Sequence, residues 1–382
     1  MFSVWERSEL LSADIVVVGG GILGLWSALE CCRRYPQRRI VVLERAVLPW
    51  GASTRNVGFA TIGTVGEALA HAQQVGEERV AALMVERWLG LRRWRQEFGE
   101  PALGYEPVGG YELVLAGEET VRAAVERWNE LLREALGEDV FRDSPELARQ
   151  WGFSEEHVYS VIVNPYDGAL NTGKAIAVLQ QRVLQHGAVL WSGAPVEAVE
   201  PTVGKVSVAC WDAAAKRLLE IRAGVVAICT NAWIPQLVPH MGYIRPARGQ
   251  VLLTAPVARQ PFPRGTYHFR AGYYYFRWVG QRLLLGGGRQ QAMQEEETYE
   301  FALNSSLQSH LQDLLQTFLL PAEEVVIEQR WCGIMGMSPD RLPRVEHVGE
   351  RMVVGFGCNG MGLALAPRLA SQVAALVGEW MN

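Results

Sequence analysis

The chain has 382 residues, 49% of them hydrophobic, a length that accommodates two domains with cores of their own. A formal charge of −5 and only three lysines (Lys174, Lys205 and Lys216) argue against nucleic acid as a partner. No run approaches the roughly 18 apolar residues of a membrane span, and the first residues lack the apolar stretch of a secretion signal, so a cytoplasmic location is expected.

The apolar run Ile15 to Val18 predicts a buried strand of the parallel type. Gly19, Gly21 and Gly24 follow it with GxGxxG spacing and lead into a helix: the first glycine permits the turn, the second lets backbone approach a pyrophosphate, and the third lets helix and sheet pack closely. A second strand, Ile40 to Leu43, ends at Glu44, 20 residues beyond Gly24, a spacing that suits a carboxylate accepting from ribose hydroxyls. A dinucleotide site is expected, NAD or FAD.

The small, polar segment Pro49 to Gly58 reads as a loop wrapped around a cofactor. Helices are expected at 66–74, 77–98 and 118–136, strands within Tyr105 to Leu115, and a short capped helix at 144–150. Asp167 to Gly187 reads as a loop and helix, with Asp167 a loop-capping carboxylate, and 189–229 as a β-meander ending in the strand Val225 to Cys229. Arg245 to Thr254 is the next strand; Tyr273 to Trp278 and Arg282 to Gly286 form a hairpin across Gly280-Gln281. Residues 297–319 are expected to be helical, followed by a strand from Met352 to Gly355 and a final helix to Trp380. Between those last two, Gly355, Gly357, Gly360 and Gly362 make a second glycine-rich strand-to-helix turn, whose helix N-terminus suits developing negative charge. Two such turns at opposite ends of one chain favour a long, two-ended cofactor over NAD. The six cysteines show no Cys-x-x-Cys spacing, so neither a disulfide framework nor a metal site is expected.

Taken in order, these motifs resemble the FAD-dependent oxidoreductases of the D-amino-acid oxidase, glycine oxidase and sarcosine oxidase type. The resemblance rests on Gly19/Gly21/Gly24 with Glu44, Gly51-Ala-Ser-Thr-Arg-Asn-Val-Gly58, Asp167-Gly168-Ala-Leu, Pro246-Ala-Arg-Gly-Gln250, Leu283-Leu-Leu-Gly-Gly-Gly288, Trp331-Cys-Gly with Asp340 and Pro343, and Gly355 to Gly362. It implies an α/β fold, α+β overall: a Rossmann-like FAD-binding domain over residues 1–90, 155–238 and 330–382, with an inserted mixed β-sheet substrate domain over 91–154 and 239–329. It further implies hydride transfer from a carbon beside an amine nitrogen to flavin, then hydrolysis of the imine. The expected cofactor contacts are Gly19, Gly21, Gly24, Glu44, Arg45, Ser53, Arg55, Asn56, Gly357, Asn359, Gly360, Met361 and Gly362, with Arg248 ranked below them.

The chain departs from that pattern where an arginine is expected to hold the substrate carboxylate: the position corresponds to Met335, in Trp331-Cys-Gly-Ile-Met-Gly-Met337. The substitute site falls on the hairpin. Tyr273, Tyr275 and Arg277 share one strand face and Tyr274, Phe276 and Trp278 the other; family position favours Tyr274 as the substrate-facing hydroxyl, with His268 on the same side if the strand runs through Gly272, and Arg277 is the third candidate contact. The spacing from Cys332 to Asp340 points to noncovalent FAD, and no lysine sits in a motif that faces the flavin. The electron acceptor is left open between oxygen and a quinone or carrier. A 2-hydroxy-acid dehydrogenase and an electron-transfer subunit of a complex are the alternative readings; exposed apolar surface on helix 77–98 would favour the second.

Overall fold

The computed structural model describes residues 2–154 and 156–381. Met1, Glu155 and Asn382, end points of the expected segments, lie outside the described residues. The first sheet is built around Ser12–Val18, which pairs in parallel with Ile40–Glu44 on one side and Arg217–Ile228 on the other. Val189–Ser192 and Met352–Phe356 extend the parallel order outward. Ile15, Val16 and Val17 are wholly buried, as β-branched residues of a strand covered on both faces must be. Antiparallel pieces complete this sheet: Arg344–Gly349 along Met352–Phe356, and the hairpin Val196–Thr202/Lys205–Asp212 along Arg217–Ile228.

Helices Ile22–Arg34, Glu77–Phe98 and Gly362–Gly378 pack together over one face, around Trp26 and Trp94, whose rings meet edge to face at 5.0 Å. Trp94 Nε1 donates to the Leu363 carbonyl at 2.7 Å. At the same crossing a Cβ on Gly90 would collide with the Ala364 carbonyl oxygen, so the N-terminus of the last helix is held by backbone-to-backbone approach.

The second sheet has the order Ile327–Met337, Arg245–Thr254, Arg282–Gly287, Tyr274–Val279, Thr266–Phe269, Gly110–Leu115, Val158–Asn164 and Arg142–Asp143. Every pairing in it is antiparallel except that of Thr266–Phe269 with Gly110–Leu115. Two of its strands, Val158–Asn164 and most of Ile327–Met337, lie in segments expected to belong with the first sheet; their ladder partners, Gly110–Leu115 and Arg245–Thr254, draw them into the second.

Two helix expectations change. Residues 118–136 form two helices, Glu119–Ala123 and Val125–Leu136, the second turned to bury Trp128 and Leu132. The helix expected from 297 begins only at Ser305, with the Asn304 side chain capping it by accepting from Leu307 N. The preceding stretch is pinned open by fully buried Glu296, which accepts from Arg248 (2.8 and 3.0 Å), Gln250 (3.0 Å) and Asn304 (2.9 Å). These donors outweigh the cost of burial and hold its carboxyl below the ordinary range. No helix among the described residues is long and apolar enough to cross a membrane.

Candidate active site

A single elongated cavity of about 560 Å³ runs from the carboxyl ends of the first sheet's parallel strands to the face of the second sheet. At its first end Gly19, Gly21, Glu44, Arg45 and Ser53 form the wall. Glu44, 8% exposed, accepts from Gly20 N at 2.8 Å and Ala46 N at 3.1 Å, so both carboxylate oxygens are fixed. Ile22 N, in the first turn of its helix, donates to Ser53 Oγ at 3.0 Å, tying the loop to the helix N-terminus. A Cβ on Gly21 would stand 2.9 Å from the same oxygen. Gly24 does not line the cavity: a Cβ there would collide with the Gly19 carbonyl, so its contribution is helix-to-turn packing. The Arg45 guanidinium lies 3.6 Å from the centroid of Trp233.

In the middle, Arg55, Asn56, Gly357, Asn359, Gly360, Met361 and Gly362 line the walls. Arg55 donates to the Cys332 carbonyl at 2.9 Å, and Asn56 folds its amide back onto the carbonyls of Ala52 and Ser53. Gly357 takes φ +114°, open to glycine, where the turn passes against Pro343. Thr230 Oγ1 is buried in this wall without a partner among the described residues. A cleft with a helix N-terminus, a fixed carboxylate, a glycine-lined floor and an unmatched hydroxyl fits an extended dinucleotide. Cys332 faces away: on its strand Gly333, Met335 and Met337 line the cavity, while Cys332 lies beside Arg248 and Glu296. Arg248 is likewise removed, locked onto Glu296.

The second end is walled by Glu67, Arg87, His268, Tyr273, Tyr275, Arg289, Met335 and Arg341. His268, 6% exposed, has neither ring nitrogen hydrogen-bonded to a described residue, and packs against Phe59 at 4.9 Å between centroids. Burial pushes its imidazole down to about 4, against a smaller upward pull from Glu67, so the ring is neutral at pH 7. Burial pushes Glu67 up, but Arg87, His268 and Arg341 together outweigh it and hold the carboxylate below its ordinary range. The Tyr275 hydroxyl, pushed up to about 12 by burial, is a lasting donor.

Two expected substrate contacts are corrected here. Tyr274 points to the opposite face of its strand, stacked on Phe269 at 4.8 Å, with its hydroxyl against His310 Nε2 (2.8 Å) and Gln291 Nε2 (2.9 Å). Strand parity turns Tyr273 and Tyr275 toward the cavity instead. Arg277 shares their face, but its guanidinium is drawn off to the Gly58 carbonyl at 3.2 Å and does not line the cavity; burial lowers it to about 10. Of the three, His268 alone reaches the chamber. Sequence reasoning missed Arg289 and Arg341, which occupy short connections with no periodicity; the signals available were the glycine triplet before Arg289 and the Ser338-Pro-Asp340 turn before Arg341. Asp167 serves as expected, accepting from Thr61 Oγ1 (2.6 Å), Ile62 N (2.9 Å) and Asn164 Nδ2 (3.0 Å) to hold the loops beneath the chamber.

A dinucleotide cleft continuous with a chamber of neutral imidazole, phenols and guanidiniums defines a cofactor-dependent oxidoreductase. The family model of the FAD dependent oxidoreductases matches residues 14–376, nearly the whole chain, and the protein belongs to that family, with FAD as its cofactor. Among curated relatives, the bifunctional protein ThiO/ThiG of Synechocystis is 22% identical over 379 residues; they cover 96% of this chain and 52% of that protein, so the chain spans about half the relative's length. The gamma-glutamylputrescine oxidoreductase of Escherichia coli is 24% identical over 387 residues, covering 96% of this chain and 84% of that one. Among solved structures, L-proline dehydrogenase from P. horikoshii superposes with a TM-score of 0.73 at 20% identity, over 96% of this chain and 94% of that one. Glycine oxidase from Geobacillus kaustophilus does so at 0.72 and 18%, over 96% and 95%. These likenesses establish the shared fold.

Proposed function

We propose that the protein oxidises the C–N bond of an amino acid, with Arg289 taking the substrate carboxylate in place of the arginine absent at Met335. The observation that carries this is the Arg289 guanidinium itself: it lines the chamber and makes no hydrogen bond or ion pair with any described residue. Burial lowers its pKa, so it sits at a cost that a bound anion would offset. In this reading Glu44, the Ser53–Asn56 loop, Gly357 and the two helix N-termini hold the cofactor, and the second sheet supplies the substrate wall. When bound, FAD supplies the two-electron acceptor for the hydride on the carbon next to the amine nitrogen, and water hydrolyses the imine so formed. The protein's share is orientation: Arg289 fixes the carboxylate, the aromatic wall of Phe59 and Tyr275 excludes water, and neutral His268 offers its unpartnered ring nitrogens to hydrogen-bond the amine of a substrate that has left its ammonium proton in solvent before entering.

Anaerobic bleaching of the flavin by a panel of amines, N-methyl amino acids, D-amino acids and hydroxy acids tests the reading. Amino acids should reduce the flavin, and Arg289→Met should raise their KM about 10- to 100-fold, the worth of a charge-assisted hydrogen bond. Failure of every amine to bleach loaded protein would exclude C–N oxidation. The same neutral imidazole would suit removal of a hydroxyl proton, so bleaching by hydroxy acids alone would favour the 2-hydroxy-acid reading. On helix Glu77–Phe98 the large apolar side chains Val85, Trp88 and Leu89 are half-buried and none is among the exposed ones, which gives the electron-transfer-subunit reading little support. The acceptor is oxygen or a quinone or carrier, and reoxidation rates with each decide between them.

A further inference from the structure

We infer that the chamber is built for a substrate bearing two carboxylates, an inference that rests on reading this end of the cavity as the substrate site. Its charge does not balance. The charged side chains lining it are Glu67, Arg87, Arg289 and Arg341. Glu67 pairs with Arg87 at 3.1 Å and its charge also bears on Arg341, so one carboxylate faces three guanidiniums; Arg87 also donates to the Ile62 carbonyl at 3.0 Å. Two acids close by are committed elsewhere, Glu296 to Arg248 and Asp340 to Arg344, and buried Glu112 accepts from Gly66 N. Two guanidiniums are left. Arg289 has no hydrogen-bond or ion-pair partner among the described residues, and the Arg341 guanidinium donates to the neutral hydroxyl of Tyr273, at 3.2 Å.

Both are carried on backbone that fixes their direction. Arg289 follows Gly287 at φ +121° and Gly288 at φ +78°. Arg341 itself sits at φ +52°, a left-handed position for a residue with a Cβ, and is kept there by Asp340, which accepts from Ser338 Oγ (3.0 Å), Leu342 N (3.2 Å) and Arg344 (2.6 Å). The two cations repel each other, and each lies near Tyr273. A monocarboxylate amino acid whose amine is neutral brings one negative charge and leaves one guanidinium unmatched in a poorly solvated chamber. A second carboxylate closes the balance. His268, nine-tenths buried with both ring nitrogens unpartnered among the described residues, lines the same chamber and is placed to hydrogen-bond the nitrogen of the bound molecule. Two substrates share this chemistry: an amino acid with an acidic side chain, and a secondary amine carrying a carboxylate on each arm.

The test uses FAD-loaded protein and anions that cannot be oxidised. Glutarate and malonate are titrated against butyrate and propionate, with the flavin absorption shift and the melting temperature as readouts. The dicarboxylates should bind about tenfold or more tightly than the monocarboxylates. Arg341→Met and Arg289→Met should each abolish that preference, and Arg341→Lys should restore part of it. Arg341→Gln and Arg289→Gln serve if a methionine variant loses FAD or its melting transition. Equal affinities in the wild type, or a preference that survives in both arginine variants, would overturn the inference. Anaerobic reduction by glutamate or N-carboxymethylglycine, against alanine and N-methylglycine, then identifies the class. Dicarboxylate preference without flavin bleaching would sink C–N oxidation and leave the two-anion site standing; bleaching by amines without the preference would do the reverse.

Discussion

His268 is neutral because of where it lies, and that has a measurable consequence. The folded protein holds its imidazole at about 4, below the ordinary 6.5. Between those values the unfolded chain takes up a proton that the native state refuses, so the stability this residue supports is intact above about pH 6.5 and is lost as pH falls toward 4. Urea midpoints measured across this window should fall less steeply in His268→Gln than in the wild type; identical slopes would show that the ring is not held neutral. At this scale the sequence was legible to the level of the strand face and no further. Period-2 alternation separated Tyr273, Tyr275 and Arg277 from Tyr274, Phe276 and Trp278, but which face met the cavity depended on the neighbouring strands. Arg277 shows the next limit, since its face was the right one and a distant carbonyl, that of Gly58, captured its head group.

At the scale of elements, the turn Arg289–Gln291 is braced from behind by Tyr274, Gln291 and His310, all within 2.9 Å of one another through their polar atoms. If Arg289 takes the substrate carboxylate as proposed, Tyr274 acts through it as a positioning residue. Tyr274→Phe keeps the stacking on Phe269 and removes the hydroxyl; we expect KM to rise about three- to tenfold, kcat to change less than about twofold, and stability to drop by about 1 kcal/mol. A fall in kcat at unchanged KM would instead place the hydroxyl at the reacting atoms. The hairpin that carries Tyr274 could be read from its alternation and from Gly280. Ile327–Met337 could not, because its mixture of Arg, Gly, Met and Trp shows no period; it is a strand by virtue of the ladder offered by Arg245–Thr254. The late start of the helix at Ser305 was hidden for a similar reason, since Glu296 is drawn out of any helix by Arg248, 48 residues away in sequence.

At the scale of the whole molecule, the cavity passes from one sheet to the other, so a cofactor lying along it would be held by residues of both. FAD should stabilise the folded state by mass action, about 2.7 kcal/mol at a hundredfold excess over Kd. Stripping it should lower the melting temperature, and stepwise addition should raise it again in proportion to log concentration; a melting temperature indifferent to FAD would mean that the cleft is not its site. The overall plan was legible because its marks are local: an apolar strand, a glycine turn and an acid at the tip of the next strand. The chamber was less so because its parts come from strands, turns and loops spread from Glu67 to Arg341. The two ends also differ in what they are made of. Backbone turns and glycines at 19, 21, 357 and 360 shape much of the cofactor cleft, whereas side chains draw the chamber. On the proposed reading, a lineage that exchanges Arg289, Met335 or Arg341 would change its diet without having to reinvent its redox machinery.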